Sequence, residues 1–248
     1  MDTCTQALFA PGHGRLEDQD NLFTPMRMAF AGIVLYAHAL MMVLPWPVMG
    51  PWAQIVDFAG QHALNAFFVL SGYLITGLLV LERENTGATR FASFFARRFR
   101  RLMPALLLML VVVALVSRAV LPEADQARLA TSGAFAAVWA SNLHFAFAGV
   151  DYFGGDAKGD LFLHTWSLGV EEQFYLVWPA LIALAAWACV GWRRNLRSGV
   201  LALMLLVLGL SFGLCLALVA RSEQMAFYLM PARAWQFAAG GMVFLLFG

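Results

Sequence analysis

The chain has 248 residues, 61% of them hydrophobic and 12% charged, with a net charge of +1. A soluble domain carries roughly 25% charged residues, so too few polar side chains are present to cover a water-facing globule of 27.3 kDa. That excludes an ordinary soluble enzyme and a disordered chain, and the near-zero charge offers no field to hold nucleic acid. An all-α, polytopic transmembrane helix bundle remains.

Residues 1–24 carry Asp2, Glu17, Asp18 and Asp20 against Arg15. They lack the basic start and apolar core of a signal peptide and read as a cytoplasmic tail. From residue 25 onward the chain reads as one transmembrane domain. A span needs about 20 apolar residues. Met26–Leu44 qualifies, with Pro25 at a helix-starting position. Ala63–Leu81 is the second span and Leu102–Leu121 the third. Trp166–Trp192 is the fourth, kinked or restarted near Pro179. Gly199–Ala220 is the fifth. A sixth begins at Ala234 and runs to the last residue, which suggests a chain cut inside a helix.

Arginine placement sets the expected orientation. Arg83, Arg90, Arg97, Arg98, Arg100 and Arg101 lie between spans two and three, and Arg193, Arg194 and Arg197 between spans four and five. Both clusters are cytoplasmic if the N-terminus is inside and 122–165 outside. The apolar segment Ala134–Val150 is then a re-entrant or interfacial helix in an external loop. Trp46, Trp52, Trp139 and Trp166 form an outer aromatic belt. Cys4, Cys189 and Cys215 have no metal-ligand spacing and read as buried thiols.

Charges inside spans are costly, about 3 kcal/mol each at the bilayer centre, so those present point to function. His38 lies eleven residues after Arg27. Eleven steps of 100° leave about 20° of rotation and about 16 Å of rise, so one face offers a cation at the inner edge and an imidazole deep in the membrane. Histidine trades protons near neutral pH; the ordinary alternative is a neutral, hydrogen-bonded structural His. Glu171 and Glu172 fall near the expected outer end of span four. They point about 100° apart, so they cannot share one partner. A cavity, a polar ligand or a salt bridge to an arginine of another span would take at least one. Arg98 and Arg101 are one turn apart and can clamp phosphates, although a basic run at a helix end is also the usual topogenic signal. Ser71 and Gly72 suit close helix packing. His62, His144 and His164 read as boundary residues.

Several of these segments occur together in one family. WSLGVEEQFYLVWP over Trp166–Pro179, FFVLSGYLIT over Phe67–Thr76, the Arg27…His38 pair, Arg98-x-x-Arg101-x-x-Pro104 and Arg233-Ala-Trp-Gln-Phe make the sequence resemble the acyltransferase-3 family of bacterial membrane O-acyltransferases. Gln236 stands where that family usually has Glu. Ser141-Asn142 and His164-Thr-Trp resemble the subgroup with an added extracytoplasmic hydrolase-like domain. The resemblance implies about ten spans, of which six are here. It implies acyl-CoA, usually acetyl-CoA, as donor, with no bound cofactor or metal. The acceptor would be a hydroxyl of a cell-surface carbohydrate such as lipopolysaccharide or peptidoglycan, modified at the bacterial inner membrane. Arg27, Arg98 and Arg101 would bind the donor. His38 would act as general base or acyl carrier, with Glu171 or Glu172 orienting it or the acceptor from the external side, Glu171 being preferred as the nearer to the outer interface. The rival from another class is a transporter using the same intramembrane residues as a proton relay.

Overall fold

The computed structural model describes residues 51–152, 159–191 and 195–248, with the isolated positions 29 and 32. The first expected span, with Arg27 and His38, lies outside the described residues, as does the 1–24 tail. Among the described residues the regular structure is helical, without strands: α1 (Pro51–Thr86), α2 (Phe91–Val120), α3 (Glu123–Ala137), α4 (Ser141–Phe147), α5 (Trp166–Gly191), α6 (Leu196–Val219), α7 (Glu223–Tyr228) and α8 (Met230–Phe247). A 3-10 turn, Leu163–Thr165, leads into α5. Among the described residues four segments are long and apolar enough to cross a membrane: His62–Thr86, Phe91–Val120, Leu163–Val190 and Leu196–Val219. They correspond to the second to fifth expected spans. The sixth corresponds to α8, which starts four residues before Ala234.

Local chemistry accounts for the helix limits. Asn195 caps α6 by accepting from the Arg197 amide at 3.0 Å, and Ser222 caps α7 through the Met225 amide. Pro122 precedes α3, whose first turn carries Glu123 and Asp125 where the helix dipole favours them. One expectation changes here. The third span was expected to start at Leu102, with Pro104 in its first turn, but α2 starts at Phe91 and holds Pro104 in its interior. The arginine run therefore lies on the helix rather than ahead of it.

The chain divides into two compact units, residues 1–87 with 236–248, and residues 88–235. In the first, α1 and the end of α8 meet through glycines. A Cβ on Gly72 would come 2.0 Å from the Phe237 carbonyl oxygen, and one on Gly240 would come 1.8 Å from that of Val69. Only hydrogen in place of a side chain lets two backbones approach this closely, the small-residue contact expected at Gly72. Phe68 stacks on Phe237 at 4.9 Å beside it, and Ser71 is fully buried.

In the second unit α3 runs back along α2. Gln126, near the start of α3, donates to Leu121 O at 2.7 Å. Trp139, just past its end, meets Phe99 edge-on at 6.4 Å. Leu129, Ala136 and Phe162 form the core of this hairpin, covered by Met109, Leu110 and Val113 of α2. The expected single helix Ala134–Val150 is instead the end of α3, an elbow at 138–140, and the separate α4.

This hairpin overturns the expected levels of the polar residues. Arg98 and Glu172 were expected at opposite membrane faces, but they lie 3.5 Å apart. The return leg of α3 brings the chain back to the start of α2 before α5 begins. Arg98 and Arg197 consequently lie near opposite ends of α5, which is about 39 Å long at 1.5 Å per residue. Counting charges alone placed both clusters on one side because it treated 122–165 as a loop that does not return.

Candidate functional site

A cavity of about 750 Å³ opens between α2, the elbow and α5. Phe95, Arg98, Phe99 and Arg100 of α2 form one wall, Val138 and Trp139 of the elbow a second, and Glu172, Gln173 and Leu176 of α5 the third. It is an apolar hollow with a few converging polar groups, the usual form of a ligand site.

Arg98 is its best-held cation. Its guanidinium carbon sits 3.3 Å from the centroid of the Tyr175 ring and 5.3 Å from that of Phe94. Its Nη1 lies 3.5 Å from Glu172 Oε1. Stacking on a buried aromatic face suits the weakly hydrated guanidinium. The Glu172 side chain is 9% exposed against 20% for Arg98. Glu172 Oε1 is covered from solvent and accepts no hydrogen bond. The pair is therefore joined by charge rather than by an aligned hydrogen bond. Of the readings open for the two carboxylates, Glu172 takes the salt bridge to an arginine of another helix. Glu171 accepts from the Tyr175 hydroxyl one turn along its own helix, so the 100° divergence sends the neighbours to different partners.

Arg101 is exposed and is not among the cavity-lining residues; Arg100 takes that place, its Nε donating to Ala96 O at 3.2 Å. Along the helix Arg98 and Arg101 are one turn apart, as expected, but the structure brings only Arg98 to the carboxylate.

Tyr175 is not singled out by the sequence, and Gln173 stands out there only as the polar neighbour of the two carboxylates. Tyr175 lies four residues after Glu171 and three after Glu172, a spacing that puts one ring beside both carboxylates. Gln173 donates to Trp139 O at 3.1 Å and to Asn142 Oδ1 at 2.8 Å, and accepts from Asn142 Nδ2 at 3.1 Å. Asn142 is fully buried and also donates to Tyr228 O at 3.1 Å. A Cβ on Gly169 would come 2.6 Å from Asn142 Oδ1 and 3.0 Å from Trp139 O, so this glycine is what lets the elbow reach α5. Thr165 donates to Ser141 Oγ at 2.7 Å. The Ser141-Asn142 and His164-Thr-Trp segments, singled out separately in the sequence, are thus joined. Burial also pushes the Tyr228 phenol above its usual range.

Trp139 lines the cavity rather than serving as an interfacial anchor, and Trp166 is buried at 1% exposure rather than in a belt. His62 and His164 are exposed and His144 stacks on Phe135 at 4.6 Å, in keeping with boundary roles. Arg233 donates from Nε to Phe227 O at 2.9 Å and lies over the Phe227 ring at 4.8 Å. Gln236 donates to Asn65 Oδ1 at 3.0 Å, a neutral pair where the resembling family has a carboxylate.

Comparison with known proteins follows the motifs. A model of the acyltransferase-3 family, described as an acyltransferase domain, matches residues 26–248. The chain is 37% identical over 148 residues to peptidoglycan O-acetyltransferase OatA of Listeria monocytogenes, a match covering 60% of this chain and 23% of that protein. It is 38% identical over 124 residues to a provisionally named O-acetyltransferase of Staphylococcus aureus, covering 50% and 20%. It is 36% identical over 190 residues to a protein of Komagataeibacter xylinus provisionally named membrane-bound transacylase BcsY, covering 75% and 45%. The chain thus spans less than half the length of these curated relatives. No solved structure matches.

Proposed function

Because this chain belongs to the acyltransferase-3 family, we propose that it carries the membrane part of an O-acyltransferase that moves an acyl group, acetyl in the simplest case, from acyl-CoA to a hydroxyl of a cell-surface carbohydrate. The observation that carries this reading is the Arg98–Glu172 pair in the wall of a cavity large enough for a substrate. Arg98, with Arg27, Arg101 and the newly found Arg100, supplies cations for the donor phosphates. His38 takes the proton of the acceptor hydroxyl. The oxygen then attacks the thioester carbonyl, a C–O bond forms as the C–S bond breaks, and the proton passes to the departing CoA sulfur. In the two-step variant His38 first accepts the acyl group and then yields it to the hydroxyl. We assign the carboxylate role to Glu172, which lines the cavity, rather than to Glu171, which does not and which accepts from Tyr175 instead.

The relative named a peptidoglycan O-acetyltransferase makes peptidoglycan the first acceptor to test and the bacterial inner membrane the expected location, with donor binding on the cytoplasmic side. Labelled acetyl-CoA is offered to inverted membrane vesicles containing the full-length protein. Label in surface glycan is the expected result. Proton-coupled solute uptake without label transfer would replace this reading with that of a transporter.

A further inference from the structure

Trp139 is the single non-glycine residue with positive φ among the described residues, at 56°. A bulky side chain is disfavoured in that region and persists there only where its surroundings enforce it. Here they do. Gln173 Nε2 holds the Trp139 carbonyl at 3.1 Å, and Asn142 locks Gln173 in turn. The Trp139 and Ala140 amides donate back to Ala136 O at 3.2 Å and Phe135 O at 2.9 Å. Three elements thus fix an unfavourable backbone at a residue that lines the cavity with Arg98 and Glu172. The indole Nε1 is covered from solvent and has no hydrogen-bond partner. Buried tryptophan N–H groups normally find one, and an unpaired one lowers stability. Backbone strain and an unpaired side-chain donor therefore coincide at one residue of the cavity lining.

We infer that Trp139 is a substrate-binding residue whose indole N–H donates a hydrogen bond to a neutral oxygen of the bound substrate. The inference rests on the acyl-transfer reading. Two oxygens have this chemistry, a carbonyl of the acyl donor and a hydroxyl of the carbohydrate acceptor. Because the N–H is covered, the substrate reaches it by displacing the side chains that lie over it.

The test is Trp139→Phe in the full-length protein, which keeps an aromatic wall and removes the donor. Removing an unpaired donor relieves a cost, so thermal stability without substrate should equal or exceed that of the wild type. Loss of one neutral hydrogen bond should raise KM about tenfold. A rise in the donor series assigns the bond to the donor carbonyl, and a rise in the acceptor series assigns it to the hydroxyl. A fall in kcat alone assigns it to the oxygen that gains charge in the transition state. Unchanged kinetics in both series would overturn the inference, as would an activity loss matched by a lower melting temperature. Should Trp139→Phe fail to accumulate, 3-benzothienylalanine at position 139 keeps the bicyclic shape, replaces N–H by sulfur, and is read by the same criteria. Activity lost in Trp139→Ala but kept in Trp139→Phe would show a wall and no hydrogen bond. If the wild type transfers no acyl group, the acyl-transfer reading itself fails and the inference falls with it.

Discussion

The Arg98–Glu172 pair invites a double-mutant cycle with Arg98→Met, Glu172→Gln and both changes together. At 3.5 Å and an effective dielectric near 20, two unit charges attract by about 5 kcal/mol, most of which desolvation offsets. Arg98→Met leaves a carboxylate that is nine-tenths buried without its cation. Removing one partner of a buried pair costs about 3–5 kcal/mol. The lower end applies here, since Arg98 is one-fifth exposed and Tyr175 rather than the carboxylate supplies much of its packing. Glu172→Gln costs less, about 1 kcal/mol, because a stacked guanidinium with a solvated edge tolerates a neutral neighbour. The double variant should lie within about 1 kcal/mol of Glu172→Gln, giving a coupling of about 2–3 kcal/mol. Thermal unfolding of the purified protein in detergent measures it; for a chain of this length each kcal/mol moves Tm by roughly 2–4 °C. Kinetics adds a second sign. If Glu172 competes with donor phosphates for Arg98, Glu172→Gln should lower the donor KM while lowering kcat. Additive stabilities together with a raised donor KM would refute the pairing and its proposed role.

Gly240→Ala places a Cβ 1.8 Å from Val69 O, against an ordinary contact of 3.4–4 Å, so α1 and α8 must separate and loosen the Phe68–Phe237 stack. We expect about 3 kcal/mol of destabilisation, read as a lower Tm in detergent; an unchanged Tm would show that the helices do not meet there. Asn142→Leu strands Gln173 and the Tyr228 carbonyl and should cost about 2–3 kcal/mol, with faster amide exchange at 138–140 than at α5; equal protection would separate the elbow from this network. His38→Ala in the full-length protein should abolish O-acylation at normal protein level, and wild-type acylation would remove His38 from the mechanism.

Hydropathy alone located the spans, because a lipid-crossing helix has no other way to satisfy its backbone. Four expected spans coincide with long helices to within about ten residues at their ends. Gly72 was legible for the same reason: a small residue inside an apolar helix has few uses besides close approach. What composition did not reveal is the return leg. Residues 123–137 are only weakly apolar and include Glu123, Asp125 and Arg128, so they read as loop, yet they fold as a helix whose apolar side is buried against Met109, Leu110 and Val113. Missing one return misplaces the start of α5, and with it Glu172, relative to Arg98. The pairing of Arg98 with Glu172 was therefore illegible as a location although both residues had been identified, and Tyr175 was passed over because aromatics in such a chain are mostly packing.

The corrected levels also change what the reaction asks of His38. With cation and carboxylate on opposite faces, the bundle itself would have stretched the site from one side of the membrane to the other. With Arg98 and Glu172 side by side, donor-binding charge and carboxylate share one level. Under the proposed reading, depth is then asked of the expected span Met26–Leu44, where the eleven-residue spacing from Arg27 to His38 would correspond to about 16 Å of helical rise. Under that reading a donor held by its phosphates must carry its thioester well away from them, which an extended pantetheine-length arm allows and a compact acyl phosphate does not. Acetyl phosphate should accordingly fail as a donor where acetyl-CoA succeeds. Equal transfer from both, measured as label in glycan, would mean that the arginines do not set the donor's depth.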